Sequence, residues 1–206
     1  MDFVLLLIML MVAWHAARVR YQRMRIALLG SHLSQLQLER HMETLTQGYT
    51  RAIHEQSESR QLQVLETYHQ TERAVAAQVL TLTRSMQKEA EQATRLGTYP
   101  FCVPYAERFV PASMMRDFRA LLQVHADGLR HSVDNEAQWD PKTRAFHLSA
   151  ELYLLQHSCH WFCKSRTVAD ARLLMRHQVN HDKVLESVSA VTRSGYRKWL
   201  EGGTGR

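Results

Sequence analysis

Five residues between positions 157 and 181 carry side chains suited to chemistry: His157, Cys159, Cys163, His177 and His181. Thiolate and imidazole are preferred zinc ligands, and Cys159-x3-Cys163-x13-His177-x3-His181 lies close to zinc-finger spacing. A finger needs a β-hairpin with turn residues around its cysteines. These cysteines fall instead in a helical stripe of Leu148, Leu152, Leu155, Cys159, Phe162 and Cys163. With a turn at Ser165 and Arg166, antiparallel pairing leaves His177 about 10–15 Å along the axis from Cys163. Zinc–ligand bonds of about 2 Å do not span that gap. The cysteines therefore read as small core hydrophobes, the usual fate of free Cys.

His177 and His181 form an i, i+4 pair, a spacing that places two imidazoles on one helix face. The intervening Gln178-Val179-Asn180 lacks the glutamate of a His-Glu-x-x-His zinc protease. The expected role of the pair is in a packing seam, hydrogen-bonded to a neighbouring helix, with metal binding as the alternative. Haem attachment needs Cys-x-x-Cys-His, and the chain has none. Gly-x-Ser-x-Gly and a phosphate-binding glycine loop are also absent. No catalytic residue and no cofactor is expected.

The element with the clearest signature lies at the other end. Residues 3–14 read Phe-Val-Leu-Leu-Leu-Ile-Met-Leu-Met-Val-Ala-Trp, followed by Arg18, Arg20, Arg23 and Arg25. The apolar run over residues 3–17 spans about 22 Å as a helix, short of the hydrocarbon core of about 30 Å. Arginine stems that snorkel to the interface extend the usable span. Trp14 and Tyr21 suit the headgroup zone. A cleaved signal would carry a basic segment before the run and a small-x-small site after it, and this chain has neither. A membrane anchor over residues 1–25 is the expectation. The four arginines follow the run and none precedes it, so the positive-inside bias places the N-terminus outside the cell inner membrane and the body in the cytoplasm. Their cations would also attract anionic lipid.

Three cysteines without framework spacing fit a reducing compartment. The net charge of +6 is no nucleic-acid footprint. Four of those cations are the juxtamembrane arginines, and the remainder form no dense stripe.

Residues 26–97 lack proline and are rich in Leu, Gln, Glu, Arg and Ala, all good helix formers. Two apolar stripes follow helical spacing: Leu38, Met42, Leu45, Tyr49, Ile53, then Leu65, Tyr68, Val75, Val79, Leu82, Met86. They differ in phase across residues 54–60. A stutter in one rod of about 100 Å is one account, and a hairpin turning near residues 56–59 is the other. The rod is preferred, and its thin stripe would demand a second copy of the chain as a coiled-coil partner.

Gly97 and Pro100 end that region. Residues 99–111 are apolar and are expected to pack across the domain that follows. Residues 98–201 read as a bundle of about three helices, opening at Pro111, near residue 144, and at a capping box Thr167-Val168-Ala169-Asp170. The seam of the third runs through Leu174, His177, His181, Val184, Val188 and Val191, with Gly195 at its fraying end. Residues 202–206 form a flexible tail. The fold class is thus all-α: transmembrane helix, long coiled-coil-like helix, helical bundle.

The function that follows is a non-enzymatic, single-pass membrane scaffold or adaptor that self-associates and binds an unknown protein partner through its C-terminal helices. Two alternatives remain: a metal-binding helical enzyme or sensor using His157, Cys159, Cys163, His177 and His181, and a membrane-active, lysis-type protein.

Overall fold

A computed structural model describes residues 2–202. Residues 203–206 of the expected tail lie outside the described residues. Among the described residues, ten α-helices and a two-stranded ribbon make up the fold, which is all-α in class. Helix α1 spans Asp2–Leu33 and contains the apolar run. It is long and apolar enough to cross a membrane, with mean hydropathy 1.8 over its apolar window, none of it buried in the chain. The exposed portion, residues 2–20, is about 28 Å long at 1.5 Å per residue, close to one hydrocarbon core. The same helix then enters the body, where Tyr21, Gln22 and Leu29 are buried.

The 26–97 segment is not one rod. The chain turns at residues 34–37 and continues as α2 (Leu38–His54), α3 (Glu58–Glu66) and α4 (His69–Met86). His41 lies 3.2 Å from Gln78, and the Tyr49 hydroxyl donates to Glu72 at 2.7 Å. Partners that rise on one helix as they fall on the other define an antiparallel hairpin. The phase difference between the two stripes has this cause: each stripe faces the other across the hairpin. Leu45, Tyr49, Leu65, Val75, Val79, Leu82 and Met86 are all buried within one chain. Ile53, included in the first stripe, is 75% exposed. Gly48 does not break α2; a Cβ there would lie 2.2 Å from the Tyr68 ring, so glycine makes room for the phenol. The stripes are satisfied internally and no longer call for a second chain.

After the short α5 (Glu91–Thr94), β1 (Arg95–Gly97) pairs antiparallel with β2 (Met115–Asp117), joining Leu96 to Arg116. The loop between them holds two 3-10 turns, Ala106–Arg108 and Ala112–Met114. It does not pack all its apolar residues across the body: Phe101 and Phe109 are 71% and 67% exposed.

Five helices follow rather than three. α6 (Phe118–Val133) begins after Asp117, whose carboxylate accepts from the Arg119 amide at 2.9 Å. α7 (Pro141–Cys163) begins with Asp140 as N-cap and proline in its first turn. The expected third helix is three: α8 (Arg166–His177), α9 (His181–Ser187) and α10 (Ala190–Glu201). Ser165 caps α8, so the box at Thr167 was placed two residues late. Gln178 adopts a left-handed conformation at φ 55°, which ends α8, and Asn180 and Ser189 cap the next two helices. The breaks rotate the faces. Ala169 and Leu173 are buried on α8 while Leu174 is exposed; Thr192, Tyr196 and Trp199 are buried on α10 while Val191 is exposed. Gly195 sits inside α10 and does not end it.

The core is continuous from Leu29 to Trp199. α4 joins the hairpin to the C-terminal helices, with Thr83 Oγ1, which donates to the Val79 carbonyl at 2.8 Å, lying 3.3 Å from the Leu122 carbonyl. Residues 26–97 and 98–201 therefore share one core. α6 and α10 cross closely at Gly128, where a Cβ would meet Thr192 Oγ1 at 1.6 Å.

Candidate functional site

The five side chains singled out by type do not converge. On α7 they divide between two faces, because positions two apart are about 200° apart at 3.6 residues per turn. His157 points towards α8 and α9. Its Nε2 lies 2.7 Å from Asp170 Oδ1, and its ring centroid is 4.6 Å from that of His181. Cys159 and Cys163 line a groove against α1 and α2 instead. Burial pushes both thiols up, Cys163 to about 11, so neither is a ready thiolate. His177 and His181 are on different helices, separated by the left-handed Gln178. His177 stacks on Tyr153 with centroids 3.8 Å apart and approaches Gln156 Oε1 at 3.0 Å. His181 contacts the Tyr196 hydroxyl at 3.0 Å. Among the described residues no group of three or more His, Cys, Asp or Glu side chains is placed to hold a metal.

Half-exposed Asp170 pairs with His157, His181 pairs with Tyr196, and the two imidazole rings pack on each other between these pairs. The His157 side chain has no exposed surface. Nearby His125 is fully buried, and its Nε2 lies 2.9 Å from Ser158 Oγ. Ser158 donates its one proton to the Leu154 carbonyl, so His125 Nε2 is the donor to Ser158. This imidazole is neutral: burial pushes its pKa down to about 3. These contacts tie helices together in the core.

Open concave surface lies elsewhere. A groove of about 510 Å3 runs between α2, α3, α7 and α9. Its volume falls in the usual range for binding sites. Tyr49, Ile53, Leu65, Phe146 and Val184 supply apolar walls, and Lys142 and Lys183 stand at the rim. Ile53 and Phe146 are 75% and 58% exposed. A second groove of about 590 Å3, lined by Leu29, Met42, Cys159 and Cys163, continues towards α1. The stacked pair of His177 and Tyr153 borders both.

Tyr49, which lines the first groove, is held from behind by a buried ion pair that faces a separate small cavity lined by His69, Glu72, Arg73 and Arg144. Arg144 donates to Glu72 Oε2 at 2.9 Å, and Glu72 Oε1 accepts from Tyr49. His69 Nε2 lies 2.9 Å from the same guanidinium nitrogen. Three elements, α2, α4 and α7, are thereby pinned at one buried point. Sequence reasoning missed this pair, yet a signal existed. Glu72 fills the vacant step between Tyr68 and Val75, and Arg144 stands four residues before Leu148, so each charge occupies an apolar-stripe position.

At the other end of the body, the predicted topology arginines separate. Arg18, Arg20 and Arg23 are exposed along α1. Arg25 turns inward. It donates to the carbonyls of Phe162 and Arg95, and its guanidinium lies 4.5 Å and 4.8 Å from the Tyr21 and Phe162 ring centroids.

No family model, curated protein or solved structure matches this chain.

Proposed function

We propose that this protein is a single-pass membrane adaptor. Helix α1 crosses the inner membrane with its N-terminus outside, and the helical body stands in the cytoplasm and presents its first groove to a protein partner. One observation carries the reading. A single uninterrupted helix is exposed over its apolar window and then packed into a body whose far end keeps an open apolar groove. The three exposed arginines follow the apolar window, which supports the orientation. Phe146 and Phe162 are sixteen residues apart on α7, so the groove stands about 25 Å beyond the point where α1 enters.

The groove chemistry suits one amphipathic helix of a partner. Apolar anchors would fill the space beside Ile53 and Phe146, and carboxylates would meet Lys142 and Lys183. Lys142 pairs at 3.1 Å with Glu58, but both side chains are largely exposed and the pair is weak enough to exchange. Self-association is not needed by this reading, because the stripe that demanded it is buried inside the hairpin.

The test uses the full chain in nanodiscs as bait on native membranes and cytosol. A protein enriched by the wild type, lost with Ile53→Asp and Phe146→Asp together, and retained with Arg18, Arg20 and Arg23 neutralised supports the groove. Unchanged capture by the double variant would remove it. A reporter fused after Arg206 that reads out as exported would overturn the orientation.

A further inference from the structure

We propose that the loop between β1 and β2 is a second membrane contact, seating Phe101 and Phe109 in the headgroup interface of the bilayer that α1 crosses. The inference rests on α1 being a membrane helix and adds a site on the body that touches lipid.

Three independent features of the loop lead there. The first is exposure. Phe101 and Phe109 are 71% and 67% exposed, within a short segment otherwise well packed at Pro104 and Ala106. Two large apolar rings in one short loop gain nothing from water; at a lipid interface they bury area.

The second is position. Tyr105 sits in a left-handed conformation at φ 58°, and its ring lies 5.1 Å from the Tyr21 ring in an edge contact. Tyr21 also donates to Glu107 at 3.1 Å. Tyr21 is the residue at which α1 passes from exposed to buried. It lies four residues past the end of the apolar run, about 6 Å along the axis, which is within the headgroup zone on one side of a hydrocarbon core. The loop is therefore held at headgroup depth by direct contact with the helix that fixes that depth.

The third is charge and stiffness. Arg108 is exposed next to Phe109, and Arg18, Arg20 and Arg23 are exposed on the adjoining turns of α1. This arrangement suits anionic headgroups. The loop cannot retract to hide its rings. The Pro100 carbonyl accepts from both the amide and the hydroxyl of Thr167, at 3.1 and 2.9 Å, and the Thr98 amide donates to Met114 at 3.0 Å.

The experiment places an environment-sensitive dye on the full chain in vesicles of zwitterionic and anionic phospholipid that carry quenchers at headgroup level and along the acyl chains. The chain has Cys102→Ser, Cys159→Ala and Cys163→Ala, with one added cysteine from Phe109→Cys, Trp14→Cys or Phe146→Cys. The expected result is strong quenching at positions 14 and 109 and several-fold less at 146. Quenching at 14 without quenching at 109 overturns the loop contact and leaves the anchor intact. A dye at 109 that is shielded from water but not quenched by lipid marks a protein contact, and also overturns it. No quenching at 14 removes the anchor, and the loop contact with it. If the cysteine replacements impair folding, Phe109→Trp in the otherwise native chain gives the same readout with brominated lipid. Extra quenchable emission over wild type supports the contact, and extra unquenched emission overturns it.

Discussion

The two ends of the body are fastened in different ways. Where α1 enters, polar bonds make the joint, with the second groove opening one turn further along beside Ile26 and Leu29: Arg25 reaches two backbone carbonyls, Lys164 approaches Gln22 Oε1 at 3.3 Å, and Tyr21 binds Glu107. At the far end a buried charge pair pins three helices through Arg144, Glu72 and Tyr49, and the first groove, which Tyr49 also lines, stays open beside it. Side-chain bonds to backbone carbonyls fix a joint because such acceptors cannot rotate away. A pair buried at one point fixes the helices there and leaves the walls of the neighbouring groove free to receive something.

The largest expected effect tests the far end. Arg144→Met leaves Glu72 buried without its cation, and breaking such a pair costs about 3–5 kcal/mol. Denaturant unfolding of the detergent-solubilised chain should register that loss, and Glu72→Gln in the same chain should recover much of it. A loss under about 1 kcal/mol would mean that the pair is hydrated and does not organise the groove.

Arg25→Ala comes next and tests the joint. Two hydrogen bonds from a charged donor and two ring contacts are removed together, for an expected cost of about 2–3 kcal/mol. Arg23→Ala, exposed, should fall within about 0.5 kcal/mol of wild type. Neutralising Arg18, Arg20 and Arg23 with a lysine added before Phe3 should disturb orientation and leave stability unchanged, by reporter activity and melting respectively. Equal destabilisation by Arg23→Ala and Arg25→Ala would erase the distinction between the buried and the exposed arginines.

These residues also mark how far the sequence is legible. The apolar helix follows from local chemistry, since composition and periodicity act within a few residues; α7, expected near residue 144, starts three residues earlier because Asp140 and Pro141, a turn signal in sequence, serve as its N-cap and first turn. The hairpin does not follow in this way, because rod and hairpin use the same stripe and differ only in which surface covers it. The breaks at Gln178 and Ser189 carry no glycine or proline, so a continuous seam through His177 and His181 was the natural reading. Cys159 and Cys163 were read as packed core residues, and they do lie against the core. The division of the four arginines was hidden because topology bias depends on count, whereas Arg25 is recruited by carbonyls that only the folded body assembles.

A pH titration of stability sharpens the contrast between neutral and charged buried groups. Burial pushes His125 to about 3, His160 to about 4, and His177 and His181 below the ordinary imidazole value. The unfolded chain takes up these protons near pH 6.5. The folded chain does not, so their contribution is full above about pH 6.5 and is lost as pH falls towards 4. Glu151 acts in the opposite sense. Burial raises its pKa to about 7, against the opposing pull of the Thr192 and Ser189 donors. The folded chain keeps this proton from about pH 4.3 to 7 while the unfolded chain has released it. Its stabilisation is thus full below about pH 4.3 and lost as pH rises through 7. Four imidazoles outweigh one carboxyl, so melting temperature should fall from pH 7 to pH 5. Glu151→Gln should steepen that fall. A shallower acid limb in the variant would contradict the assignment of Glu151 as the opposing group.

The smallest expected effect concerns His177, which borders both grooves. Its imidazole stacks on Tyr153 and makes one hydrogen-bond contact with Gln156. His177→Gln removes the stack and can keep the polar contact, so a loss of about 0.5–1.5 kcal/mol is expected. His181→Ala should cost more, because its partner Tyr196 is fully buried and would keep an unpaired hydroxyl. Chelator should leave the melting of wild type and both variants unchanged, since His177 and His181 stand on separate helices and the cysteines face away from His157. A chelator-sensitive melt in wild type, absent in His177→Gln, would require a rearranged groove in which these imidazoles meet around a metal. The far end of the molecule would then be a metal-dependent site, and its open apolar walls would need another explanation.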